Sequence, residues 1–377
     1  MGPEHPDTLI SVSSLALILR DLGKYDEAET LNRRALEGRS KVLGKQHPST
    51  LTSASNLAVV LQEKGDYEDS EKLNRQVLEG REMELGERHP HTLMSRSNLV
   101  LVLQEQGKYN EAEAMNRQVL HAYEKELGTQ HPSTLTSVSN LASVLLDQGK
   151  YNEAEELNRR ALEARKTVLG SQHPDSLTSL SNLAFTLRSQ EKYDESEALH
   201  RQALEGREGQ LGVQHPDTLT SVNDLALVLR DQQKYTEAER LSRRALMGHQ
   251  IELGAQHPYT LTSLSNLASI LQDQGKYDEA ETMGRQAVKE YEDKLGIQHP
   301  DTLKSISNLA SIIQDKGRYE EAEDLNRRVL EGREKQLGIH HPDTIKSIED
   351  LASVLRMSRI TTKQSLGEQE QRASEKV

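Results

Sequence analysis

A His-Pro dipeptide recurs at His5, His47, His89, His131, His173, His215, His257, His299 and His341, each copy 42 residues after the last with no insertion or deletion. A fixed period of this size is the signature of stacked supersecondary units. Length alone would suggest about two or three globular domains. The period overrides that expectation and predicts one elongated array with a continuous core.

The copy from His131 to Gln172 shows what one unit is. Leu135, Val138, Leu141, Ala142, Val144 and Leu145 recur at steps of three and four, one face of a helix. Pro132 suits a first helical turn, and either Ser133 or Thr134 is a candidate cap. Gly149 supplies a break. A second helix is expected to open at Asn152, with Asn152 and Glu155 spaced as a capping box. Ala154, Leu157, Ala161, Leu162 and Val168 continue its apolar face, Glu155 and Arg159 form an i,i+4 pair, and Gly170 ends it. Two short antiparallel helices cannot bury both apolar faces alone, so stacking must complete the burial. With 3% aromatic residues, no Trp and Phe185 as the sole Phe, the core must be aliphatic.

These residues carry a resemblance. Asn140-Leu141-Ala142, Leu145, Gly149-Lys150-Tyr151, Ala154 and Ala161 resemble the tetratricopeptide repeat (TPR) pattern, in which small residues let helices approach closely. The period exceeds the 34 residues usual for TPRs, and the excess lengthens the second helix through Leu-Gly into the His-Pro loop. Long units with Leu-Gly-x-x-His-Pro junctions resemble kinesin light chain TPRs. Near-identical units also resemble arrays in fungal kinesin light chain-like proteins, some of which follow a nucleotide-binding immune-receptor module. The fold this implies is all-α: a right-handed TPR α-solenoid of 42-residue helix-turn-helix repeats, about 8.5 in number, over residues 1–357. The polar segment 358–377 is expected to be a disordered tail. Seventeen helices are expected. Gly2-Pro3-Glu4-His5-Pro6 matches the interior junction, with Met1 where Leu43 stands one unit later, so the chain is expected to open at the end of a missing unit.

The resemblance implies that the first helices line the concave side of the superhelix. One column there reads Asn56, Asn98, Asn140, Asn182, Asn266 and Asn308, interrupted by Ser14, Asp224 and Asp350. An amide both donates and accepts, which suits it to hold the backbone of an extended peptide. In kinesin light chain-like TPRs the matching asparagines hold cargo, and the resemblance carries that role to these six; the other reading is that they bond neighbouring helices and fix the stack. Two further columns vary between copies. Phe185 and Leu227 beside Arg188 and Arg230 are expected to form an apolar pocket with a cationic rim, suited to a peptide with an apolar anchor and acidic flanks. On the second helices, Asn32, Asn74, Asn116, Asn158, His200, Ser242, Gly284 and Asn326 stand where an apolar column is usual. If buried they need partners, at about 1–3 kcal/mol per unsatisfied amide.

Much chemistry is excluded. The chain has no cysteine, so disulfides, thiolate metal sites and cysteine nucleophiles are ruled out. A net charge of −13 argues against nucleic acid as partner. No apolar run approaches a membrane span and no signal peptide opens the chain, so a cytoplasmic protein with no membrane partner is expected. One histidine per loop is not metal-ligand spacing, so the histidines are expected to cap or pack the loops, and the recurring Gly-Lys is followed by Tyr rather than Ser or Thr, so neither metal nor nucleotide cofactor is expected. The expected function is a non-catalytic scaffold that binds an extended peptide or partner helix in its concave groove. The alternatives are the ligand-sensing or self-association region of a fungal NLR-type receptor, and a kinesin light chain cargo adaptor, which would need a heptad coiled coil.

Overall fold

Each unit turns on a junction that the Leu-Gly-x-x-His-Pro pattern encodes atom by atom. The structure, a computed structural model, describes Gly2 and residues 4–374, with side chains through Ile360. At the junction into the unit from His131, Gly128 has φ +88°, a region closed to residues with a Cβ. His131 is the N-cap: its Nδ1 accepts from the Ser133 N–H at 3.2 Å, and Pro132 occupies the first helical turn, where a missing N–H costs nothing. The Thr134 hydroxyl donates back to the Gly128 carbonyl at 2.8 Å. The cap is therefore the histidine, not Ser133 or Thr134. The imidazole reaches the second helical N–H, while Ser133 lends only its backbone.

These junctions set seventeen helices among the described residues. The first compact unit, Met1–Lys234, holds α1 (Pro6–Asp21), α2 (Tyr25–Leu43), α3 (Pro48–Glu63), α4 (Tyr67–Leu85), α5 (Pro90–Glu105), α6 (Tyr109–Leu127), α7 (Pro132–Asp147), α8 (Tyr151–Leu169), α9 (Pro174–Ser189), α10 (Tyr193–Leu211) and α11 (Pro216–Asp231). The second, Tyr235–Val377, holds α12 (Tyr235–Leu253), α13 (Pro258–Asp273), α14 (Tyr277–Leu295), α15 (Pro300–Asp315), α16 (Tyr319–Leu337) and α17 (Pro342–Ser374). Within each, every helix packs on the next in an all-α solenoid pattern.

The core runs across repeats. Val138, Leu141, Ala142 and Leu145 of α7 pack with Ala154 and Ala161 of α8, and with Leu120 of α6 from the preceding repeat. Burying a leucine of this kind contributes about 1.5–3 kcal/mol relative to exposure. Two expectations for α8 need correction. It opens at Tyr151 with Lys150 at the N-cap and no side-chain cap, so Asn152 lies inside the first turn and no capping box forms. Val168 is exposed, because the last turn of α8 overhangs the core. At the other end of the chain, α17 runs on to Ser374, so the backbone over much of segment 358–377 is helical rather than the expected disordered tail. Lys, Gln, Glu and Arg favour helix there and no proline interrupts it. Residues 375–377, Met1 and Pro3 lie outside the described residues, and with them part of the expectation about the opening junction.

Between the helices of a repeat, the chain turns in a Schellman motif. The Lys150 N–H donates to Leu145 O at 2.8 Å and the Gly149 N–H to Leu146 O at 2.9 Å, with Gly149 at φ +72°. Two repeats lack this glycine: Glu191 and Gln233 both sit at φ +61°. A left-handed backbone costs a residue with a Cβ about 1–2 kcal/mol. Glu191→Gly is accordingly expected to stabilise the chain by about 1 kcal/mol, read as a rise in the midpoint of chemical denaturation; an unchanged or lower midpoint would show the turn to be unstrained.

Candidate functional site

The first helices of the first unit place the candidate residues on the face opposite the core. Asn56, Asn98, Asn140 and Asn182 are all half-buried, as are Asn266 and Asn308 on the second unit's own first helices. Among them, Asn98 bonds a neighbouring first helix, its Nδ2 donating to Ser55 Oγ at 3.3 Å. The other five amides form no hydrogen bond within the described chain.

Phe185 and Arg188 lie one turn apart on α9, and Leu227 and Arg230 occupy the same two positions on α11. The Phe185 ring is 52% exposed, whereas Leu227 is half-buried. Both arginines converge on one carboxylate absent from the sequence reading, Asp231. Arg188 Nε donates to its Oδ2 at 2.5 Å, and Arg230 Nη2 to its Oδ1 at 3.0 Å. The cationic rim is thus clamped on Asp231. A signal for Asp231 was present: Gln104 Nε2 donates to Asp147 Oδ2 in the first unit, and Gln272 Nε2 to Asp315 Oδ2 in the second. Each pair links a residue to the acid 43 positions later, as Arg188 links to Asp231.

Asn140, Asn182 and Phe185 meet at a cavity of ≈ 280 Å³ between α7 and α9, with Ser139, Ser143, Leu146, Asp147 and the α8 residue Asn158. Leu227, Arg188 and Arg230 lie outside its lining, so the structure joins one of the four expected pocket residues, Phe185, to the asparagine column and leaves the other three further along α9 and α11.

Beneath this face runs the polar seam. Asn32, Asn74, Asn116, Asn158, His200, Ser242 and Asn326 are all buried. Asn116 Oδ1 accepts from Ser137 at 2.9 Å and Asn158 Nδ2 donates to Thr186 at 2.9 Å, each tying a second helix to the next repeat's first helix. Neither amide atom of Asn32 has a hydrogen-bond partner, nor has Nδ1 of His200. A second polar column went unread in the sequence. Arg39, Arg81, Arg165 and Arg207, and Arg333 in the second unit, reach a serine of the next first helix: Arg81 to Ser95 at 2.7 Å, Arg165 to Ser179 at 2.7 Å, Arg333 to Ser347 at 2.8 Å. Burial lowers the pKa of all five guanidinium groups.

On the opposite, solvent-facing side, second-helix glutamates form a ladder. Glu113 accepts from Lys150 at 2.7 Å and Arg117 at 2.9 Å, and these hold its carboxyl at about 2. Burial alone would raise the Glu197 carboxyl, but Lys234 and Arg201 overcome it and hold it at about 2.

The family model for the tetratricopeptide repeat matches in successive overlapping blocks over residues 7–83, 54–125, 91–167, 133–209, 175–246, 217–293 and 296–359. The chain belongs to the tetratricopeptide repeat family. A search of the curated proteins finds no match. Among solved structures, this TPR chain is similar to a Podosopora anserina putative kinesin light chain with nearly identical TPR-like repeats, at 28% identity over 53% of this chain and 95% of that one, with a TM-score of 0.46. It is similar to BtubC (BKLC) from P. vanneervenii at 21% identity, over 62% and 92% of the two chains, with a TM-score of 0.47. A Rap protein complexed with Competence and Sporulation Factor aligns over 94% of this TPR array and 99% of its own length, at 12% identity and a TM-score of 0.55, a likeness of fold. Among the described residues, no TPR helix is long and apolar enough to cross a membrane.

The boundary between two repeats departs from the rest electrostatically. His200 replaces the seam asparagine, and Asp224 replaces the first-helix asparagine that follows it. Burial, with Arg188 and Arg207 adding to it, lowers His200 to about 4. Burial raises Asp224 to about 6 against the pull of Arg207 and Arg188. The stability effects have opposite signs. His200 takes up its proton more readily when unfolded, so its contribution is lost as pH falls from about 6.5 towards 4. Asp224 holds its proton more tightly when folded, so its contribution is lost as pH rises through about 6. With His200→Asn, melting temperatures should rise on acidification from pH 7 to 5 relative to the parent chain; with Asp224→Asn they should fall. Shifts of the same sign in both variants would refute the assignment.

Proposed function

We propose that this TPR array is a non-catalytic protein-interaction scaffold that holds an extended peptide or partner helix along its first-helix face. The carrying observation is the meeting of Asn140 and Asn182, whose amides bond nothing among the described residues, with the exposed Phe185 at one cavity. Paired donor-acceptor groups beside an apolar surface suit a peptide backbone with a hydrophobic side chain at hand. The column extends the reading to Asn56, Asn98, Asn266 and Asn308. Among the described residues only Nε of Arg188 is engaged, by Asp231, so its terminal nitrogens suit an acidic residue flanking an apolar anchor on Phe185 and Leu227, with Arg230 beside it on Asp231. The Rap protein, of the same fold, is complexed with Competence and Sporulation Factor. Localisation in the cytoplasm belongs to this reading.

A random peptide library selected on the full chain tests it. Enriched peptides should lose about tenfold in affinity with Asn140→Ala plus Asn182→Ala, and those carrying acidic residues should weaken similarly with Arg188→Glu plus Arg230→Glu. Unchanged affinity in variants of unchanged melting temperature would defeat the groove.

A second reading, self-association, is favoured by α1. Leu15 and Ile18 are 49% and 57% exposed, whereas their counterparts Leu57 and Val60 one repeat on are buried at 2% and 1%. Under this reading the face pairs with a further repeat, as in the self-association region of a fungal NLR-type receptor. Light scattering across a concentration series should then show a mass that grows with concentration and that Leu15→Ser plus Ile18→Ser abolishes; a constant monomer mass rejects it.

A further inference from the structure

The cavity between α7 and α9 has an asymmetric lining. Its one charged residue is Asp147, and no lysine or arginine borders it. Asp147 is exposed, so its carboxylate stands at the rim rather than inside. Gln104 of α5 donates both to Asp147 Oδ2 and, at 2.9 Å, to Ser143 Oγ, which fixes the carboxylate in place. Around it stand Ser139, Asn140 and Asn182, which supply further oxygen acceptors. Opposite lies Phe185, the single phenylalanine of the chain, half of it open to solvent.

We propose that this cavity is a subsite for a cationic side chain, arginine or lysine, of the extended peptide. An anchored carboxylate, several acceptors and an accessible aromatic face together are what an ammonium or guanidinium group needs, the ring attracting the cation through its quadrupole and the carboxylate through its charge. An acidic side chain finds no cation here. One repeat later Arg188 replaces Leu146 and Ser189 replaces Asp147, while Asp224 stands where Asn182 does and Asp231 clamps Arg188. A peptide lying along this face therefore carries a basic residue at α7–α9, followed by the apolar residue near Phe185 and Leu227 and the acidic residue at Arg188 of the reading above. The inference rests on the peptide-binding reading above and deepens it by assigning charge order.

The library selection is read for composition on three full-length proteins: the parent, Asp147→Asn and Asp315→Asn. Asp147→Asn keeps an acceptor for Gln104 and removes only the charge. Asp315 accepts from Gln272 in the same manner but has Ser353 where Asp147 has Phe185, so it serves as control. The expected result is enrichment of Lys or Arg on the parent, about a tenfold loss of affinity for those peptides with Asp147→Asn and with Phe185→Ala, and no loss with Asp315→Asn. Enriched peptides lacking a basic bias, or binding equally well to Asp147→Asn, overturn the subsite and leave the peptide groove intact. Failure to enrich any peptide on the parent overturns both.

Discussion

The array depends on the junction at which an imidazole caps a helix. A glycine held near φ +90° turns the chain, the histidine ring supplies an acceptor to an orphan N–H at the next N-terminus, and proline makes continuation of the helix cheap in only one direction. Every contact that crosses repeats is counted from this point. The Gln104–Asp147, Arg188–Asp231 and Gln272–Asp315 pairs share a separation of 43 because the junction never changes length. A single inserted residue in one loop would put such partners out of register with all later ones.

Much of this was legible in the chain itself. The period revealed the repeats, the apolar steps in Leu135 to Leu145 revealed the core face, and Ala142, Ala154 and Ala161 marked the close approach of helices, where all three are fully buried. What was not legible had a common cause: it depended on which of several adjacent polar groups reaches a partner. Ser133, Thr134 and His131 can each cap a helix, and only the backbone turn decides that the imbalance falls to the histidine. Asn152 and Glu155 have capping-box spacing, but the helix starts one residue earlier. Asp231 could be seen as another solvated helix-end acid until its two arginines are placed around it.

The polar columns change how the stack is held together. An ordinary helical repeat is joined by apolar ridges, and here Leu120 against Leu141 does that work. Alongside it, Asn116 with Ser137, Asn158 with Thr186 and the arginine-serine pairs cross the same boundary. Hydrogen bonds tolerate displacement less well than apolar contacts, so they specify the angle between repeats more than they add to its strength. A buried guanidinium bonded mainly to hydroxyls is an expensive way to add stability and a good way to define geometry.

Glu191 and Gln233, the two left-handed turns without glycine, bracket α10 and α11. The same stretch contains His200, whose buried Nδ1 lacks a partner, and Asp224, whose carboxyl burial disfavours. In a linear array each repeat answers mainly to its neighbours, so unfavourable terms gathered in one place are not averaged over the whole. Two left-handed turns and two costly buried groups are thus gathered within two neighbouring repeats. The proposed recognition residues Arg188 and Leu227 lie at or beside this stretch, so a partner that clasped them would also brace it.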